Sequence, residues 1–190
     1  MLIKSPDELK KARQYYQGQL ERQVTRVLVC SGTGCIASGS FEVYKRLREC
    51  ACEAGLTVDV MLAAETPDDD CPGKMHENAV NQKNISSETD SSSVVVGLKR
   101  SGCHGFCELG PLVRIEPQGW LYIKVTAEDV ADIVEKTLIQ GEPVERLLYQ
   151  HESRRFARQD EIPFYRKQTR IVLKGCGTID ADAIEEYIAH

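Results

Sequence analysis

Val24-Thr-Arg-Val-Leu-Val-Cys30-Ser-Gly-Thr-Gly-Cys35 is an apolar, β-branched run that ends in a glycine loop bounded by two cysteines. A run of this kind reads as a buried strand. Further on, Val94-Val-Val-Gly-Leu-Lys99 leads into a second loop, Gly102-Cys103-His104-Gly105-Phe106-Cys107. The spacings are C-x4-C and C-x3-C, and each pair stands next to glycines. Both loops follow a strand, so both can lie at one end of the same sheet and meet there.

Thiolate is a soft, anionic donor, the type that iron in a cluster requires, and four of them in two pairs suit two irons. Gly32, Gly34, Gly102 and Gly105 would let the backbone approach the sulfurs and offset their charge with N–H groups. Spacing alone leaves other readings open. A structural zinc site with four cysteine ligands tolerates similar spacings. A thiol–disulfide oxidoreductase is disfavoured because no C-x-x-C motif is present. Four unrelated buried thiols would not come with matched glycine loops.

The remaining elements surround these loops. Residues 5–22 read as a helix, with Ser5 and Glu8 as a capping box, Pro6 in the first turn, and Leu9, Ala12, Tyr16 and Leu20 on one face. A helix over about 40–54 carries Phe41, Tyr44, Leu47 and Ala51 inward and stops at Gly55. Leu56 to Leu62 alternates as a second strand. Pro111–Ile115 and Trp120–Val125 are two more strands around a turn at Glu116-Pro-Gln-Gly119. On the second of these, one of the pairs Trp120/Tyr122 and Leu121/Ile123 faces the core and the other is exposed or at an interface. Thr126 caps a helix through about Ile139, with Val130, Ile133, Val134 and Leu138 inward.

Three further regions have a different character. The stretch 66–93 is rich in Asp, Asn, Ser and Glu and reads as an exposed, disordered insertion containing Cys71, Met75 and His76. Residues 142–163 are polar and basic and read as a linker. In 164–190 a strand is expected at Arg170-Ile-Val-Leu-Lys174 and a helix start at Asp180. That block is too short to bury its own core.

Cys50 and Cys52 read as buried structural thiols, Cys71 as incidental and Cys176 as structural. His104 reads as a loop histidine bonded to backbone, or alternatively as a proton acceptor coupled to reduction. Phe106 reads as a shield against water.

The chain has 190 residues, 42% hydrophobic and 28% charged, with a net charge of −5, which argues against general nucleic-acid binding. No run approaches the ~20 apolar residues that span a bilayer. There is no apolar signal-peptide core, so the cytoplasm is expected, and there eight cysteines read as ligands or redox groups rather than as a disulfide framework.

Residues 27–40 and 102–117 resemble the thioredoxin-like 2Fe–2S ferredoxin domain. More narrowly, they resemble the version fused to the flavin- and NAD(P)-binding subunit of multimeric FeFe hydrogenases and related NAD(P)H dehydrogenases. Gly141–Tyr149 and Phe164–Lys174 are similar to the segments that follow it there, the latter to the opening of the flavin domain. The resemblance implies an α/β fold, a small mixed sheet of about four strands flanked by helices over residues 23–141. Beside the N-terminal helix read within 1–22 and the linker read at 142–163, it implies the start of a flavin/NAD(P)-binding domain at 164–190. It also implies one 2Fe–2S cluster on Cys30, Cys35, Cys103 and Cys107, and one-electron transfer with no catalytic acid, base or nucleophile. The family's glycine-rich flavin and nucleotide site lies beyond the matched residues, so FMN and NAD(P) are not expected here. The implied partners are a flavin/NAD(P)-binding subunit and other iron–sulfur subunits of a hydrogenase, formate dehydrogenase or quinone-linked complex. The competing expectation is a non-redox assembly module, with or without zinc.

Overall fold

The computed structural model describes residues 3–60 and 95–190. The insertion read at 66–93, with Cys71, Met75 and His76, lies outside the described residues.

Helix α1 (Pro6–Glu21) starts where its cap predicts, with the Ser5 hydroxyl accepting from the Glu8 N–H at 3.2 Å. Strand β1 (Thr25–Cys30) runs into a short helix α2 (Thr33–Ala37), so the first cysteine loop closes as a helical turn. Helix α3 (Ser40–Glu53) and strand β2 (Thr57–Asp59) follow. After the undescribed residues come β3 (Val95–Ser101), β4 (Val113–Glu116) and β5 (Trp120–Tyr122). A helix then begins with a 3-10 turn at Ala127–Asp129, becomes α4 (Val130–Asp132) and ends as a π-turn, Ile133–Ile139. Thr126 and Asp129 cap it reciprocally.

The fold is α/β: a mixed sheet of order β2-β3-β1-β4-β5, flanked by helices. It holds the five strands read from the sequence, where the resemblance implies about four. β1, β2 and β3 are mutually parallel, whereas β4 and β5 run antiparallel as a hairpin. Gly119 closes that hairpin with φ +73° and an N–H bond to the Ile115 carbonyl at 2.8 Å.

One face of the sheet packs Val27, Val29, Val96, Leu98, Val113 and Ile115 against α3 and the α4 helix. On α3 the buried face is Val43, Tyr44, Leu47, Cys50 and Ala51, while Phe41 is exposed, contrary to its expected place. Phe41 instead lies beneath the Arg100 guanidinium.

Residues 142–163 add to the cores on both faces, which corrects their reading as a linker. This stretch folds into a hairpin, β6 (Tyr149–His151) and β7 (Arg154–Phe156), and buries Val144, Leu147, Leu148, Phe156 and Ile162. Isolated bridges Tyr122↔Leu148 and Trp120↔Arg158 fasten it to the outer edge of β5. Both faces of β5 are therefore covered: Trp120 and Tyr122 join the first core, Leu121 and Ile123 the second. Polar residues dominate the stretch, but its few apolar ones recur where a hairpin can turn them inward.

The expected strand Arg170–Lys174 does not form; these residues make a turn, and Ile171, Val172 and Leu173 are 82%, 93% and 61% exposed. The β5 edge is already occupied by Leu148 and Arg158, and residues 170–174 pair with no strand among the described residues. The expected helix at Asp180 begins later, as α6 (Ile184–Ala189), after a short α5 (Pro163–Arg166). α6 packs against α1, with Arg13 and Gln17 donating to the carbonyls of His190 and Ala189. The inward face of α1 is thin: Ala12 is buried, whereas Leu9 is exposed.

Candidate metal centre

Cys30 is the last residue of β1, and its register partner on parallel β3 is Ser101, the residue before the second loop. Parallel pairing brings the carboxyl ends of both strands to one sheet edge, the usual place for a ligand in an open α/β sheet. The Ser31 N–H bonds the Ser101 carbonyl at 2.9 Å and ties the two loops where they begin. Cys35 sits in α2, and Cys107 opens a 3-10 turn, Cys107–Leu109.

The four sulfurs form a connected chain. Cys35 is hydrogen-bonded to Cys30, Cys30 to Cys103, and Cys103 lies 4.0 Å from Cys107, sulfur to sulfur. Among the described residues no three His, Cys, Asp or Glu side chains close around one ion-sized point. Burial is graded: Cys30 and Cys35 are enclosed, Cys103 is half-buried and Cys107 is exposed.

Gly105 donates its backbone N–H to Cys103 Sγ at 3.3 Å, and the N–H groups of His104 and Gly32 near Cys30 and of Leu112 near Cys35 favour the thiolate. The hydrogen bond from Cys35 draws the Cys30 thiol down to about 6, against burial. The reciprocal effect, reinforced by burial, pushes Cys35 upward, and burial does the same to Cys103.

Glycines make room for this. A Cβ on Gly32 would stand 2.9 Å from Cys103 Sγ, and one on Gly34 would stand 3.1 Å from Cys107 Cβ. Gly110 has the same role, with a Cβ there 2.6 Å from Cys35 Sγ. Sequence reading passed over it because it lies beyond the loop. Gly102 differs from expectation: its open side faces Cys176 and Gly177, not one of the four paired cysteines. Gly105, at φ +80°, both donates to Cys103 and leaves space for Arg170, whose Nη2 would lie 2.9 Å from a Cβ there.

His104 is wholly buried, and its Nε2 shares a 3.0 Å hydrogen bond with the Ser101 hydroxyl, a side-chain partner where backbone was expected. Among the described residues its Nδ1 has no hydrogen-bond partner. Burial, helped by Arg114 and Arg170, pulls it down to about 3, so the ring is neutral. Phe106 stacks on Phe164 at 4.5 Å and meets Tyr149 and Tyr165, an aromatic layer beside the buried cysteines. Cys50 is a buried free thiol, but Cys52 is disulfide-bonded, which corrects its reading as a free structural thiol. No described helix is long and apolar enough to cross a membrane.

Fold and site together define an α/β protein that presents four clustered thiols at the carboxyl edge of its sheet. No protein-family model matches the chain. It is 44% identical over 63 residues to a 2Fe–2S ferredoxin of Clostridium pasteurianum, covering 33% of this chain and 60% of that protein. It is 52% identical over 48 residues to a 2Fe–2S ferredoxin of Aquifex aeolicus (strain VF5), covering 25% and 43%. The chain thus spans less than two thirds of either relative. Among solved structures it is similar to a thioredoxin-like [2Fe–2S] ferredoxin from Aquifex aeolicus at 28% identity and TM-score 0.40, covering 65% of this chain and 87% of that one. The sequence matches establish a resemblance to 2Fe–2S ferredoxins over part of the chain.

Proposed function

We propose that this chain holds one 2Fe–2S cluster on Cys30, Cys35, Cys103 and Cys107 and passes single electrons through it. The supporting observation is the meeting of two glycine-lined cysteine loops at one sheet edge, with backbone N–H groups aimed at the sulfurs. The donor set fits the group: four thiols, and glycines where a side chain would collide. The cluster, when bound, supplies one-electron chemistry.

The protein's residues then have plain tasks. Cys30 and Cys35 anchor the group on the enclosed side. Cys103 and Cys107 hold it where the surface is near, which is where a partner's redox centre can approach. Backbone N–H groups offset the negative charge that grows on reduction. Phe106, Phe164 and Tyr165 keep water from the buried side.

We read the chain further as a ferredoxin-like domain or subunit of an NAD(P)H-linked hydrogenase or dehydrogenase complex, working with a flavin/NAD(P)-binding subunit and other iron–sulfur subunits. The similarity of Gly141–Tyr149 and Phe164–Lys174 to that family supports this. Cytoplasm is the setting that suits it, since a reducing compartment keeps such thiols free to bind iron.

The test is anaerobic purification with visible spectroscopy, iron and sulfide assays, and EPR after dithionite reduction. Absorption that bleaches on reduction, with a paramagnetic signal lost in Cys103→Ser, is the expected result. A colourless protein holding zinc, or nothing after reconstitution, would favour an assembly module instead.

A further inference from the structure

Resting on that reading, we propose that Arg170 and Tyr165 are positioning residues for the cluster, acting through the main-chain carbonyl of His104. The segment 163–186 then works as a rear wall of the electron-transfer domain.

The His104 carbonyl lies in the middle of the second cysteine loop, between Cys103 and Cys107. Tyr165 Oη donates to it at 3.1 Å, and Arg170 Nη2 donates to the same oxygen. Arg170 Nη1 donates at 3.2 Å to the Cys176 carbonyl, so one guanidinium joins the cysteine loop to the tail. The glycines fit this arrangement. Gly105 leaves the space that the guanidinium fills, and Gly177, at φ +84°, lies against the His104 ring, where a Cβ would stand 2.8 Å from Nδ1. The Gly102 N–H bonds the Ile179 carbonyl at 3.0 Å, fastening the loop where it leaves β3. Three residues earlier, on β3, Lys99 forms a buried ion pair with Glu186 of α6. The tail therefore holds the loop before, at and behind its cysteines. A planar fork that spans two carbonyls is a task for arginine, since lysine offers a point charge without that geometry. A fixed positive charge beside the loop also favours the reduced, more negative cluster.

The experiment uses the full chain carrying Arg170→Gln, Arg170→Lys or Tyr165→Phe, reconstituted with iron and sulfide. Midpoint potential and the half-life of the cluster against a chelator are the readouts. Arg170→Gln is expected to move the potential to more negative values and to shorten the half-life several-fold. Arg170→Lys should restore most of the potential and little of the half-life, separating charge from positioning. Tyr165→Phe, which removes only a hydroxyl, should shorten the half-life about twofold, and it carries the test if Arg170→Gln does not fold. Wild-type potential and half-life in the folded variants would overturn the proposal. If the wild-type chain takes up no cluster, the function is wrong and the wall is judged separately. Hydrogen exchange of residues 103–107 in the cluster-free protein should then be faster in Arg170→Gln, and equal exchange would overturn it.

Discussion

Gly32 of the first cysteine loop lies directly against Cys103 of the second: a β-carbon on Gly32 would stand 2.9 Å from both Cβ and Sγ of Cys103. The two loops are joined at the site by a contact that only the smallest residue permits. Gly32→Ala forces them apart, an overpacking cost of about 1–3 kcal/mol. The expected outcome is a lower melting temperature for the cluster-free protein and a reduced iron content after reconstitution. Gly18→Ala is the control, since nothing lies within 4 Å of a Cβ there. Equal iron content in both variants would show that the loops do not close as described.

Burial holds the His104 ring neutral, with its pKa near 3 against an ordinary value of 6.5. Its folded value is depressed, so its contribution to stability is fully present above pH 6.5 and is lost as pH falls toward 3. Each unit in that window removes about 1.4 kcal/mol. Urea unfolding of the cluster-free chain should therefore lose roughly 2 kcal/mol between pH 6.5 and 5, and His104→Gln should flatten that slope. A slope unchanged by the substitution would assign the acid sensitivity to other groups.

Lys99 and Glu186 are both enclosed, and burial pulls the Lys99 ammonium below its usual range while Glu186 opposes the shift. Removing one partner leaves the other charge buried alone, so Lys99→Met or Glu186→Met should each cost about 3–5 kcal/mol. The double variant should recover much of that loss. A thermal-denaturation cycle over the four proteins measures the coupling, and simple additivity would argue against a buried pair.

Ile162 is wholly buried beside Leu121 and Phe156, in a stretch whose composition reads as linker. Ile162→Ala should cost about 2–4 kcal/mol in chemical denaturation, as large-to-small changes in a core do. A cost below about 0.5 kcal/mol, the usual range for surface sites, would return 142–163 to the status of a linker.

The four cysteines, their glycine loops and all five strands were legible in the sequence, because each rests on local signals: β-branched runs, turn residues and cysteine spacing. The helix caps at Ser5 and Thr126 were legible for the same reason. The errors arose where the outcome depends on which surface is still open. Arg170–Lys174 has strand composition but pairs with no strand among the described residues and stays an exposed turn. Residues 142–163 have linker composition, yet β5 presents an uncovered apolar face that its few buried side chains fill. Gly110, Arg170 and Gly177 reach the cysteine loops from a distance in sequence that no spacing rule spans. The sequence by itself determined the four thiols and the strand ends that lead to them. Tertiary packing decided what stands behind those thiols, because a carbonyl such as that of His104 takes whichever donors the folded chain brings to it.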